Sequence, residues 1–209
     1  MGQAMPMTST VPTAERLLKI RGGNVLRGEV LISGAKNAAL KAMAATLLTS
    51  AEVVLNNVPM LADVLSMADL LRAFGAEVEV DRKLGRVQVR AQEITSTTAP
   101  PHLFRPTRAS VVAAGPMLAR CGEVSFFMPG GDQIGRRPID VHLRGFQRMG
   151  TVIEHRDDQV IATGGKLRGA RIYMDYPSHT GTENLMMAAT LAVGKTVIVN
   201  ASAEPEVVW

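Results

Sequence analysis

The sequence is poor in the residues that build several common kinds of site. It has one cysteine, Cys121, in 209 residues. That excludes an internal disulfide framework and a cysteine-rich zinc site. The four histidines (His102, His142, His155 and His179) are scattered and form no HxxxH pair, so no metal site is expected. Aromatic residues make up 4% of the chain, too few for stacking platforms under single-stranded nucleic acid. The apolar runs 42–51 and 185–193 stop at about ten residues, well short of a membrane span. Residues 1–13 have neither a positively charged start nor an apolar stretch, so they read as a disordered start and not as a secretion signal. A cytoplasmic location follows by default. No Walker A or GxGxxG pattern is present, so nucleotide binding by those routes is not supported.

What is present is a core. The chain is 46% hydrophobic and 20% charged, in the range of soluble globular proteins. At about 150 residues per domain, the length corresponds to about one and a half domains. The formal net charge is +4. Its source is one window: residues 105–156 hold eight arginines, no lysine and four acids. Arginine makes bidentate contacts to phosphate and carboxylate. The window reads either as a solvated basic face or as the seat of a small polyanionic ligand. Nucleic acid fits less well, because Lys/Arg runs and interleaved aromatics are missing.

Self-comparison reveals a repeat. Residues 26–57 and 167–201 share LRG, AATL and a strand of the form V-V/I-x-N, and residues 108–128 are a fainter middle copy. Each copy has a small-residue helix followed by a strand. Between copies lie an amphipathic helix stopped by glycine (Gly75, Gly150) and a strand pair: 77–80 with 86–91, and 151–155 with 159–163. The fold expected is therefore α/β (α+β), built of βαβαββ units with the small-residue helices buried and parallel and the sheets outside. Those helices are expected at about 38–48, 108–120 and 181–193.

Lys36, Arg108 and Thr180 stand 72 residues apart, each at the start of a buried helix. Equivalent helix ends should meet at one end of the domain. Helix N-termini favour anions, so three together form a candidate phosphate or carboxylate cradle. A cation in a first turn opposes the helix dipole unless an anion offsets it, which favours a ligand over two merely exposed side chains. Glu183, three residues after Thr180, suggests a capping box. The loop 128–138, MPGGDQIGRRP, carries Asp132 beside Arg136 and Arg137 on a glycine-rich backbone. It reads either as an ordinary surface turn or as a mobile lid with a proton donor.

These motifs resemble a known family. SGAKNAAL (33–40), RAS (108–110), PGGDxIGxRPxDxH (129–142), PSHTGTENLMMAATLA (177–192) and NAxxEPEVV (200–208) are similar to the UDP-N-acetylglucosamine 1-carboxyvinyltransferases, also called UDP-N-acetylglucosamine enolpyruvyl transferases. The resemblance implies transfer of enolpyruvate from phosphoenolpyruvate to the 3-hydroxyl of UDP-N-acetylglucosamine, the first committed step of peptidoglycan synthesis. The reaction runs by addition and elimination through a tetrahedral phospholactoyl intermediate, with no metal or organic cofactor. It also implies residue roles. Lys36 and Asn37 match the pair that contacts phosphoenolpyruvate, and Arg108 and Arg137 match two substrate-site arginines. Arg137, Pro138, Ile139, Asp140 and Val141 match one UDP-binding segment, and Tyr176, Pro177, Ser178 and His179 another.

Asp132 stands where most members carry a cysteine, the proton donor alkylated by fosfomycin. Aspartate can still donate the proton but is a poor target for the epoxide, so fosfomycin insensitivity is expected. Family members are about twice as long and have two domains. The chain is expected to be the N-terminal half. On this reading residues 14–35 hold strands (17–20 and 29–32) belonging to the absent second domain, and 36–209 form the first domain with its third unit cut short. The chain alone is expected to bind substrates weakly and turn over negligibly. A non-catalytic half-domain that binds a UDP-sugar, or pairs with another chain, is the alternative.

Overall fold

The computed structural model describes residues 18–128 and 139–208. The chain divides into two units, Met1–Ile32 and Ser33–Trp209.

Residues 18–32 contain no helix or strand. Their large apolar side chains, from Leu18 to Ile32, are 80–98% exposed, so they add nothing to a core. The strands expected at 17–20 and 29–32 are therefore not formed among the described residues. An extended segment becomes a strand only when a neighbour completes its hydrogen-bond ladder, and none does here.

The second unit follows the repeat. Helix α1 (Lys36–Ala45), strand β1 (Glu52–Leu55), helix α2 (Ala62–Ala73) and strands β2 (Glu77–Asp81) and β3 (Arg86–Arg90) make the first copy. The second copy has a short helix α3 (Pro101–Phe104), a 3-10 turn (Arg108–Ala113) running into α4 (Ala114–Cys121), strand β4 (Glu123–Phe127), helix α5 (Asp140–Arg148) and strands β5 (Val152–Arg156) and β6 (Gln159–Thr163). The third has β7 (Arg171–Tyr173), α6 (His179–Thr190), β8 (Val197–Val199) and a four-residue helix α7 (Pro205–Val208).

Two copies build the same antiparallel sheet, ordered β1-β3-β2 and β4-β6-β5. In the second and third units the leading segment pairs in parallel with the strand after the first helix. In the third copy this is β7 with β8, in register Ile172↔Ile198. In the second copy it shrinks to a single bridge, Thr98↔Ser125. Burial alternates along β2, β3 and β4, so one face of each sheet meets the core and the other faces water.

The small-residue helices pack on one another inside: α1 against the 3-10 turn, and α4 against α6. Residues 114–118 of α4 are all buried. Helix α1 is less enclosed than its composition suggests, with only Leu40, Met43 and Ala44 fully buried. The predicted glycine stops hold. Gly75 and Gly150 follow α2 and α5 with φ of +108° and +99°, conformations that an L side chain resists. Two stacked rings, Phe104 and Phe126 with centroids 5.2 Å apart, tie α3 to β4.

Candidate functional site

The three inner helices begin at one cleft of about 870 Å³. Lys36, Asn37, Leu40 and Lys41 reach it from α1, and Asp63 from the first turn of α2. Residues 106–109 line it ahead of α4, residues 176–180 at the start of α6, and Glu204 and Glu206 from α7 and the residue before it. The 72-residue spacing thus becomes a spatial coincidence. Equivalent positions in a repeat occupy equivalent ends of parallel elements, so their polar first turns converge.

Local sequence explains each helix start. Thr107 caps the 3-10 turn by accepting from the Ala109 N–H at 3.2 Å. Ser178 caps α6 by accepting from the Gly181 N–H at 3.1 Å. The cap of α6 is therefore Ser178 and not Thr180, and the capping box with Glu183 is not made. Glu183 turns instead to Lys41, with Nζ 2.9 Å from its Oε1. A lysine near the middle of an otherwise apolar helix must find a carboxylate when it is buried, and that demand outweighs a local cap.

The electrostatics also depart from the sequence reading. The first-turn Lys36 is offset from within the chain, because its Nζ sits 2.7 Å from Asp63 Oδ2. Both side chains are more than a third exposed, so the pair contributes at most about 1 kcal/mol. Lys41 has a second partner, Glu206 Oε1 at 3.2 Å. His179 Nε2 lies 3.2 Å from Glu204 Oε1. Burial raises the pKa of the Glu183 carboxyl, opposed by Lys41. Glu206 is held below its ordinary value by hydrogen bonds, including that from Lys41.

The arginine-rich window does not act as one patch. Arg105 pairs with Asp158, Arg144 with Asp140 and Asp175, and Arg156 with Glu154. Arg120 donates to the carbonyls of Leu47, Thr49 and Gln92 at 2.9–3.0 Å, joining the first copy to the second. Of these described arginines, Arg108 is the one that lines the cleft.

Beneath the cleft lies a buried polar hub. Asn184 accepts from the Gly115 N–H at 2.7 Å through Oδ1. Its Nδ2 donates to the Val111 carbonyl and to His142 Nδ1, each at 2.9 Å. The Gly115 N–H can only donate, so the amide orientation is fixed. His142 Nδ1 must then be an unprotonated acceptor, which leaves the proton on Nε2, 3.5 Å from Thr180 Oγ1. The imidazole pKa is pushed down to about 4, first by burial and then by Arg108, with Asp140 opposing.

Seven of the expected site residues, Lys36, Asn37, Arg108, Tyr176, Pro177, Ser178 and His179, share the cleft. Ile139, Asp140 and Val141 do not line it. The side chains of Ile139 and Val141 are buried, and Asp140 pairs with Arg144. Their positions leave only backbone groups and one engaged carboxylate for a ligand. Asp132, Arg137 and Pro138 lie outside the described residues. Lys41, Asp63, Glu204 and Glu206 were not singled out from sequence. The signal available for Lys41 was its isolation among apolar neighbours in KNAALKAMAA. Among the described residues no group of three or more His, Cys, Asp or Glu side chains could hold a metal ion. No described helix is long and apolar enough to cross a membrane.

Comparison with known proteins gives the family and the fold. Residues 20–209 match the family model described as EPSP synthase (3-phosphoshikimate 1-carboxyvinyltransferase). The chain is 52% identical over 189 residues to the UDP-N-acetylglucosamine 1-carboxyvinyltransferase of Magnetococcus marinus, covering 90% of this chain and 45% of that protein. It is 50% identical over 191 residues to the protein of the same name from Granulibacter bethesdensis, covering 91% and 46%. It thus spans less than half the length of these curated relatives. Among solved structures, the enolpyruvyl transferase NikO from Streptomyces tendae matches with TM-score 0.76 and 22% identity, over 90% of this chain and 44% of that one. EPSP synthase from Acinetobacter baumannii matches with TM-score 0.65 and 18% identity, over 85% and 41%. At these identities the two structures establish the fold.

Proposed function

The chain belongs to the EPSP synthase (3-phosphoshikimate 1-carboxyvinyltransferase) family, and on that premise we propose that it carries one half of the active site of a UDP-N-acetylglucosamine 1-carboxyvinyltransferase. The observation that carries this reading is the convergence of Lys36, Asn37, Arg108 and Ser178 on a single cleft. Phosphoenolpyruvate and a UDP-sugar are both anionic, and helix starts bearing cations suit them.

In this reading Lys36, Asn37 and Arg108 bind phosphoenolpyruvate, and residues 176–179 hold the UDP-sugar. The backbone of 139–141 completes the UDP seat together with Arg137 and Pro138. Asp132 supplies the proton that the enolpyruvyl methylene takes up as the sugar 3-hydroxyl adds. The tetrahedral phospholactoyl intermediate then gives up a proton from its methyl group to a base and expels phosphate, which restores the C=C bond of the enolpyruvyl ether. The product is the first committed intermediate of cell-wall peptidoglycan synthesis, made in the cytoplasm. Aspartate in place of the usual cysteine makes the site insensitive to fosfomycin.

A two-sided site that closes on its substrates gains most of its rate from positioning. One side alone binds weakly and turns over negligibly. Calorimetric titration of the 209-residue chain with UDP-N-acetylglucosamine tests the first part: weak saturable binding, weakened further in Ser178→Ala, is expected. A phosphate-release assay with both substrates tests the second. Absence of UDP-sugar binding would refute the assignment, and ready turnover would refute the half-site reading.

A further inference from the structure

The EPE segment at 204–206 has no task in the reading above, yet it reaches into the cleft and touches two of its basic side chains. Lys41 lines the cleft with Lys36 and Asn37, one helical turn after Asn37 on α1. Its ammonium is shared between two carboxylates that differ in kind. Glu183 is 7% exposed, belongs to the inner helix α6, and has a buried second oxygen, Oε2, with no partner. Glu206 is 27% exposed and sits on a helix of four residues.

We propose that Lys41 is a further ligand-binding residue of the cleft, taking a phosphate or carboxylate oxygen of the anionic ligand in exchange for Glu206, while Glu183 remains its permanent partner. Only the identity of the natural ligand rests on the function proposed above.

The asymmetry between the two acids dictates the direction of exchange. Stripping Lys41 from Glu183 strands an uncompensated charge in the interior, which is strongly unfavourable. Releasing Glu206 returns a part-exposed carboxylate to water at little cost. An arriving phosphate brings a charge of the same sign to the same ammonium, so the two compete. Glu204, two residues earlier, pairs with His179, and displacement of the segment frees that ring as well. Asp63 keeps Lys36 neutralised in the same way. In the free protein the carboxylates hold the cleft cations apart from one another's repulsion. In the complex the ligand replaces the most loosely held of them.

The test is calorimetric titration of the 209-residue chain with UDP-N-acetylglucosamine and, separately, with inorganic pyrophosphate. Glu206→Gln removes the competing charge and keeps the side-chain length. It should tighten both ligands about two- to fivefold, the upper part of the range for loss of one part-exposed competing ion pair. In a Lys41→Met/Glu183→Leu background, which leaves no stranded carboxylate, Glu206→Gln should change nothing. Circular-dichroism melting checks folding, and Lys41→Gln/Glu183→Gln replaces the apolar pair if that variant does not fold. Unchanged or weaker binding by Glu206→Gln overturns the proposal, as does a gain that survives without Lys41. A pyrophosphate response with no UDP-sugar binding in any variant upholds the exchange and sinks the proposed function. UDP-sugar binding with no response to Glu206→Gln does the reverse. Failure of every variant to bind either ligand refutes both.

Discussion

His142 should make the protein acid-sensitive. The ring is 1% exposed, and its Nδ1 accepts from an amide that has no freedom to turn. A second proton would have to displace the Asn184 N–H and enter a pocket that already feels Arg108. The folded imidazole therefore takes its proton at about pH 4, against about 6.5 in the unfolded chain. The folded pKa is lowered, so between these values the unfolded chain binds more protons. Stability is then fully present above pH 6.5 and falls as pH drops towards 4. The full penalty is about 3 kcal/mol, and about three quarters of it has appeared at pH 4.5. Urea unfolding at pH 7 and pH 4.5 measures it. At a slope of about 2 kcal/mol per M, the midpoint should fall by roughly 1 M from this ring alone. His142→Gln keeps an acceptor for Asn184 but does not titrate. Carboxylates contribute alike in both proteins, so the difference between their pH dependences isolates the ring. Equal dependences in the two proteins would refute the buried neutral assignment.

Other outcomes follow from close contacts and caps. Gly115→Ala places a methyl against the Asn184 carbonyl and its Oδ1, and should destabilise by about 2–3 kcal/mol. Gly145→Ala meets the Leu185 side chain, its methyls first, and not backbone, so thermal melts should show the smaller loss there; the reverse order contradicts the packing. Ser178→Ala removes the α6 cap and should cost about 1 kcal/mol, read by urea denaturation and accompanied by weaker UDP-sugar binding. Burial raises the thiol pKa of Cys121, the sole cysteine. Its alkylation by iodoacetamide should therefore lag free cysteine at pH 8, and fosfomycin should leave no mass adduct on the chain. A single adduct would show that Cys121 takes the epoxide in place of the absent cysteine at 132.

The fold was legible because its information is periodic. Copies sharing LRG, AATL and a β-branched strand place the same element at the same offset, and glycines at 75 and 150 mark where helices must stop. The segments 17–20 and 29–32, assigned from sequence to an absent second domain, form no strand among the described residues, for a complementary reason. Alternation tells which residues could form a ladder, whereas the ladder itself needs a partner, and residues 18–32 have none in their own unit. Helix α1 misled more gently. An alanine-rich pattern fits a buried helix and a half-covered one equally well, since alanine loses little by exposure.

In the site, the first turns were readable and the charges between them were not. Thr107 and Ser178 act on their own next residues, so sequence contains the whole interaction. Glu183 shows the limit. Thr180 and Glu183 have the spacing of a capping box, and nothing local argues against it. The competing partner, Lys41, lies 142 residues away and one repeat pair removed. Neither residue is unusual alone. The repeat, however, already says that α1 and α6 begin at the same place. A lysine and a glutamate on inner helices that share an end are near enough to answer each other, and leaving the buried glutamate unanswered would cost several kcal/mol. The pair was thus derivable by combining two readings made separately: the 72-residue register, and the rule that a buried charge must be answered.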